Sequence, residues 1–227
     1  TLKKRCGVFA NSHALAAALH NLGCFYAADS DQIKAMAMCS RALNMRRALF
    51  EDGDRALIPD TPRDKEHDER ALGESLNDMG VLNIMRASKE TNLKRRDKSL
   101  DTGEKYMRDA KKLFDRIHHF LHPICIIMLR NMAWVRHARG YRSEAANLVR
   151  EALSRARLAL STSRSRGSMS TPSDGHSNPA CLVVDCCLCF VSMCFRHQHL
   201  TDETRKCLRE ALRVNQEAFP DTHHFES

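Results

Sequence analysis

The chain has only nine Gly and six Pro in 227 residues, and aromatic residues make up 6% of it. So few turn formers exclude a many-stranded sandwich or barrel, whose strands need turn signals at close spacing. One Trp and three Tyr leave little with which to stack nucleic-acid bases. No apolar run reaches the roughly 18 residues needed to cross a bilayer, so no membrane span is expected. No basic-then-apolar leader is visible from Thr1 onward, and an unexported, cytoplasmic protein is expected, with a nuclear or organellar one as the alternative. A start other than Met fits a fragment or a processed product. A Gly-rich phosphate loop, H-E-x-x-H and G-x-S-x-G are also missing, so no enzymatic activity and no cofactor are expected.

What is present favours helix packed on helix. Hydrophobic residues make up 43% of the chain, carried mostly by Ala, Leu, Met and Cys rather than by the β-branched and aromatic residues that sheets use. The net charge of +8 admits acidic partners or nucleic acid. However, 36 Lys and Arg interleave with 28 Asp and Glu, as in KEHDER and KKLFDR, which reads as solvated helix faces. The ten cysteines fall largely inside apolar helical stretches and are expected to be reduced, buried and metal-free.

The organising feature is an internal repeat of small residues. Gly23, Gly80, Ala133 and Ser192 serve as anchors. Leu precedes each by four places, at Leu19, Leu76, Leu129 and Leu188. Nineteen places after each stands a small residue, at Ala42, Ser99, Ala152 and Ala211, followed at once by Leu43, Leu100, Leu153 and Leu212. The pattern predicts a first helix carrying the anchor, a turn, and a second helix whose small residue meets it. Turns are expected at Asp29 to Asp31, Ala87 to Ser88, Arg139 to Gly140 and His199 to Thr201.

This pattern resembles the tetratricopeptide repeat (TPR), in particular the kinesin-light-chain type. In that type His-Pro opens the first helix; here His122-Pro123 is followed by ICIIMLRNMA, with Leu129, Asn131, Met132 and Ala133 in matching places. LHNLGCFY at residues 19–26 carries the same frame, and RGYRSEAANLVREAL matches the second-helix signature through Gly140, Tyr141, Glu144, Ala145, Ala152 and Leu153. Units two and four depart from it, with Asn83 for the usual Tyr and Asn92 and Thr204 for Ala. The anchor periods of 57, 53 and 59 imply long inserts after second helices. One insert is expected at residues 51–69, around Pro59 and Pro62. A Ser/Gly/Pro-rich, disordered and phosphorylatable linker is expected at 161–179. Units one to three would fill residues 1–160, and a fourth unit of an array cut short would fill 180–227.

The resemblance implies an all-α solenoid of about four TPR-like units in a right-handed superhelix, with first helices lining a concave groove. It also implies a protein or peptide ligand in that groove. Carried over by frame, the groove residues are His20, Cys24 and Ala27, then Asn77, Val81 and Ile84. They continue with Arg130, Trp134 and His137, then Cys189, Met193 and Arg196. The peptide-contacting Asn of the family matches Asn21 and Asn131, while Asp78 and Phe190 stand in its place in the other units. Trp134, flanked by Arg130 and His137, is the expected centre of binding, suited to an acidic or Tyr/Phe-bearing peptide.

Three other constellations bear on function. Cys181, Cys186, Cys187, Cys189 and Cys194 in CLVVDCCLCFVSMC lack paired knuckles converging from two turns and read as core. Asp115, His118, His119 and His122 have helical spacing, but Pro123 makes His122 a helix start, so they read as structural. The second functional reading, an RNA-associated helical-repeat protein, rests on TLKKR, SRSR and Lys94-Arg95-Arg96, whose three cations point in successive directions around a helix.

Overall fold

The structure, a computed structural model, describes residues 13–51, 65–165, 178–195 and 201–218, apart from the side chain of Phe195. Among these residues there are eight α-helices and no strand. They are α1 (His13–Ala28), α2 (Gln32–Glu51), α3 (Lys65–Lys89), α4 (Leu93–Ile117), α5 (Pro123–Ala138), α6 (Arg142–Ser165), α7 (Pro179–Phe195) and α8 (Asp202–Ala218). Helices α1/α2, α3/α4 and α5/α6 form helix–turn–helix hairpins, α7 packs on α8 as a fourth pair, and neighbouring pairs pack side by side in the manner of an α-solenoid within each of two compact units, Thr1–Ile117 and His118–Ser227.

Helix starts fall where a side chain can take an orphan N–H. Asp31 accepts from Lys34 N at 3.1 Å, Asn92 from Arg95 N at 3.1 Å, and Asn178 from Ala180 N at 2.9 Å. His122 accepts from Ile124 N through Nδ1 at 3.3 Å, with Pro123 at the first helical position, where its missing N–H costs nothing. That cap accounts for the histidine cluster: α4 has ended at Ile117, and His118 stacks on His122 at 3.8 Å. The turns of the first and third hairpins share a left-handed residue seven places after the anchor, Ser30 at φ 62° and Gly140 at φ 86°. Asp31 N bonds back to Tyr26 O and Tyr141 N to Arg136 O, both at 2.9 Å, closing the two helices in the same way.

In the first unit, α1 and α2 meet at Gly23. A Cβ there would lie 2.4 Å from Cys39 Sγ and 3.3 Å from Ala35 O. The α3–α4 contact is closer, glycine on glycine: a Cβ on Gly103 would lie 3.0 Å from Gly80 O, and one on Gly80 would lie 2.6 Å from Met107 Cγ. Phe114, Met107 and Leu100 are fully buried along α4. Gln32 Nε2 donates to Leu82 O at 3.1 Å and Arg46 donates to Ala71 O at 2.7 Å, tying α2 to α3. In the second unit, Ala133, Ala145, Val149, Ala152 and Ala156 share one buried cluster with Val183, Cys187, Ala211 and Val214.

The fourth hairpin corrects the repeat register. Leu188 is 48% exposed and Ser192 is exposed, whereas Cys187, Cys189, Phe190, Val191 and Met193 are buried. The inward anchor is therefore Val191, one place earlier, with Cys187 as its partner one turn before. Helix α7 is apolar nearly all round, so a Leu-based frame could not locate its buried face. Burial pushes the thiols of Cys186 and Cys187 up to about 12 and that of Cys189 to about 11. They behave as small hydrophobes. Element ends also move. Helix α3 begins at Lys65, inside the expected insert, and runs through Lys89, past the expected turn. Helix α6 continues to Ser165, inside the expected linker. Residues 52–64, 166–177 and 196–200 lie outside the described residues.

Two stability measurements follow from these contacts. Ala152→Leu overpacks a fully buried site and is expected to cost about 1–3 kcal/mol in denaturant unfolding; an unchanged midpoint would sink the helix-contact assignment. Ser30→Gly relieves a left-handed conformation that costs about 1–3 kcal/mol for a residue with a Cβ. Glycine gives back about 0.5–1 kcal/mol in chain entropy. A small net rise in the unfolding midpoint is expected, and a fall would count against this turn geometry.

Candidate functional site

The expected groove positions lie three places before, one after and four after each anchor on the first helix. At 100° per residue they sit on one flank of the anchor, clear of the second helix. In the third hairpin this is what α5 presents. Ala133 is fully buried, Arg130 and His137 are half-buried, and Trp134 is 37% exposed. Trp134 stands edge-on to His137 with ring centroids 5.9 Å apart. His137 in turn borders a cavity of about 410 Å³ lined from α6 by Arg142, Asn147 and Arg150 and from α7 by Phe190 and Met193.

Not every expected residue is offered to a ligand. Arg130 Nη1 donates to Asp185 Oδ2 at 3.0 Å, so part of the positive strip is neutralised by the neighbouring first helix. Asn131 is only 6% exposed. Met193 and Cys189 are buried as well, a correction that follows from the one-place shift in α7; the corresponding surface positions are Leu188 and Ser192. Arg196 lies outside the described residues.

In the first unit the expected positions come together with a residue the repeat pattern had set aside. His20 and Cys24, one turn apart on α1, meet Asp78 of α3. His20 Nε2 is 3.5 Å from Asp78 Oδ2, Cys24 Sγ is 3.7 Å from the same oxygen, and Cys24 Sγ is 3.9 Å from His20 Nε2. Asn77 Nδ2 donates to Asp78 Oδ1 at 3.2 Å, leaving Oδ2 to face the pair. The His20 pKa is raised, first by its hydrogen bond with Cys24, against burial, with help from the Asp78 carboxylate. Burial pushes the Asp78 carboxyl up despite His20. The Cys24 thiol is pushed up by its hydrogen bond with Cys39, by burial and by Asp78. Asn21 and Cys24 are exposed, while Ala27, Asn77, Val81 and Ile84 are half-buried. A cavity of this unit, about 710 Å³, lies among Arg47, Phe50, Leu72, Leu76, Leu113 and Arg116, away from the His20–Cys24–Asp78 cluster.

The basic stretches are less available than their sequence implies. Residues 1–5 lie outside the described residues. Lys94, Arg95 and Arg96 open α4, where the helix dipole disfavours cations. On α6 three arginines seven places apart each reach a glutamate of α8. Arg150 grips Glu203 bidentately at 2.7 and 2.9 Å, Arg157 pairs with Glu210, and Arg164 meets Glu217 at 2.6 Å. Sequence reasoning missed this ladder, although its signal, Arg and Glu at heptad spacing on two second helices, is visible in the chain.

Comparison with known proteins finds no matching family model and no matching curated protein. Among solved structures, the chain is similar to a crystal structure from Podosopora anserina described as a kinesin light chain with nearly identical TPR-like repeats. The match has 10% identity and a TM-score of 0.38, and covers 90% of this chain and 96% of that one.

The ladder carries a pH signature. Hydrogen bonds from Arg150, Arg157 and Arg164 hold the carboxyls of Glu203, Glu210 and Glu217 below the ordinary glutamate value of 4.5. A lowered folded pKa means the contribution is complete above 4.5 and disappears as pH falls through the folded values. The exposed Glu203 and Glu210 pairs are worth at most about 1 kcal/mol each and are screened by salt. Melting curves in low salt should fall on acidification below pH 4.5, and Glu203→Gln with Glu210→Gln should flatten that limb. An unaltered acid limb in the double variant would show that the pairs contribute nothing.

Proposed function

We propose that the protein is a non-enzymatic, protein-binding scaffold whose second unit takes a peptide or partner helix along α5, centred on Trp134. One observation supports this reading above the rest: the chain's only Trp is left 37% exposed on the outward flank of a first helix, against His137 and the cavity beside it. A large aromatic surface left open on a rigid helix loses little freedom on binding, and Trp and Arg are the residue types that most often anchor interfaces. The cavity lining brings His137, Arg142 and Arg150 and no carboxylate. Because Arg150 is held by Glu203, Arg142 is the cation of the lining offered to an acidic ligand side chain. Trp134 supplies the apolar contact for an adjacent Tyr or Phe, while the buried Phe190 and Met193 close the cavity from α7. The partner is therefore an acidic, aromatic-bearing segment. Binding through basic patches to RNA is the second reading, and the Arg–Glu ladder weakens it by pairing Arg164 of SRSR together with Arg150 and Arg157.

The experiment uses the single Trp as reporter. A library of acidic peptides bearing Tyr or Phe should contain members that bind and change Trp134 emission. Trp134→Ala should reduce their affinity at least about tenfold, the range of an interface anchor, while the unfolding midpoint stays nearly unchanged. Peptides that bind the variant as well as the parent would remove Trp134 as the centre. Salt-sensitive RNA binding with no peptide binding would replace this reading with the second one.

A further inference from the structure

The first unit carries a constellation that peptide binding does not require. We infer that His20, Cys24 and Asp78 form a binding site for a borderline-soft divalent cation, zinc in the first place, with three protein ligands and a fourth position open to solvent. The three ligand atoms are within 4.8 Å of one another. A tetrahedral zinc with Zn–S of about 2.3 Å, Zn–N of about 2.0 Å and Zn–O of about 2.0 Å sets its ligand atoms roughly 3.3–3.6 Å apart. The separations of 3.5, 3.7 and 3.9 Å are a few tenths of an ångström wider, so a small inward movement brings all three into range.

The supporting shell has the right polarity. His20 and Cys24 are one turn apart on a single helix, which fixes their spacing, and Asp78 is aimed by Asn77 through its other oxygen. Such outer contacts orient metal ligands and raise their affinity. Cys24 is exposed, so the site has a route of entry, while His20 is mostly buried with Nδ1 unpartnered, leaving Nε2 to carry the polar contacts. The nearby positive charge of Arg46 is committed to Ala71 O and Ser75 Oγ, each at 2.7 Å. On binding, the Cys24 proton leaves to solvent as the metal–sulfur bond forms. For Cys24 alone this inference departs from the sequence-based expectation of metal-free cysteines.

The test uses the whole chain, reduced and stripped with a chelator. Titration with zinc against a chromophoric competitor should show one stoichiometric site, with calcium and magnesium failing to compete. Cobalt should give the sulfur-to-metal charge transfer and intense visible bands of tetrahedral coordination. Cys24→Ser, His20→Gln and Asp78→Asn should each weaken zinc binding by at least about tenfold, and Asn77→Ala should do so within roughly 10–100-fold, as for an outer-shell partner. Helical circular dichroism of each variant checks that it remains folded. Cys181→Ser, in the other compact unit, should bind zinc as the parent does. Absence of a stoichiometric site, a cobalt spectrum without the sulfur transition, or undiminished zinc in folded Cys24→Ser would each overturn the proposal. Because Trp134 is in the other unit, its peptide measurements stand or fall separately.

Discussion

Close approach of helix backbones at small residues is the constraint on which both units depend. At Gly23, Gly80 and Gly103 there is no room for a further carbon without displacing a neighbour, and at Ala133, Ala145 and Ala152 the methyl group is fully buried. Helices meeting in this way sit at the short end of normal interaxial distances. Their hairpins then have narrow contact faces and leave the flanks of the first helices uncovered. The positions one and four places after the anchor lie on that flank, which is why Cys24, Trp134 and His137 are available for chemistry at all. The constraint that builds the fold also decides which first-helix positions stay at the surface.

Much of this was legible because the first three anchors are bounded by polar residues that fix the buried face. Leu19, Leu76 and Leu129 are all buried one turn before their anchors. Helix α7 has no such boundary: CLVVDCCLCFVSMC offers an apolar residue in almost every direction, and only packing against α6 and α8 decides that Val191 faces in and Leu188 out. The end of α3 differs from the expected turn for a local reason. Ser88, read as a turn former, donates its hydroxyl back to Met85 O at 2.8 Å and so sits within the last turn, leaving Asn92 to cap the next helix. At the end of α6, Ser161, Thr162 and Ser165 do the same to carbonyls of Leu158 and Ser161. A Ser-rich stretch with no apolar period can extend a helix when its hydroxyls bond backward.

The His20–Cys24–Asp78 cluster was not legible as a unit, since 54 places separate Cys24 from Asp78 and only the register between the two hairpins joins them. A trace of it was nevertheless present. The place two before the anchor is Asn in the first and third units and Asp in the second. In a peptide-clamping frame that exchange is a defect, because a carboxylate accepts but cannot donate to a ligand's backbone. Opposite a histidine and a thiol the same exchange supplies the missing anionic ligand. A departure from a repeat pattern thus reads as loss or gain according to what the neighbouring hairpin brings to it.

The two units therefore put different chemistry on equivalent helix positions. On α5, the flank carries Arg130, Trp134 and His137. Arg130 is held by Asp185 on the next first helix, and the arginines of α6 are held by glutamates of α8. Those pairings lower the diffuse positive field that would favour polyanions. On α1, the flank carries His20 and Cys24, and the residue reaching across is again an aspartate on the next first helix, Asp78. Asp185 and Asp78 thus occupy comparable roles, each drawing a basic side chain of the preceding first helix toward the next hairpin. What differs is the group they meet. A guanidinium cannot give up its proton at accessible pH and can only form an ion pair, whereas an imidazole beside a thiol can exchange protons for a metal. The same bridge between hairpins serves packing in one unit and supplies ligand chemistry in the other.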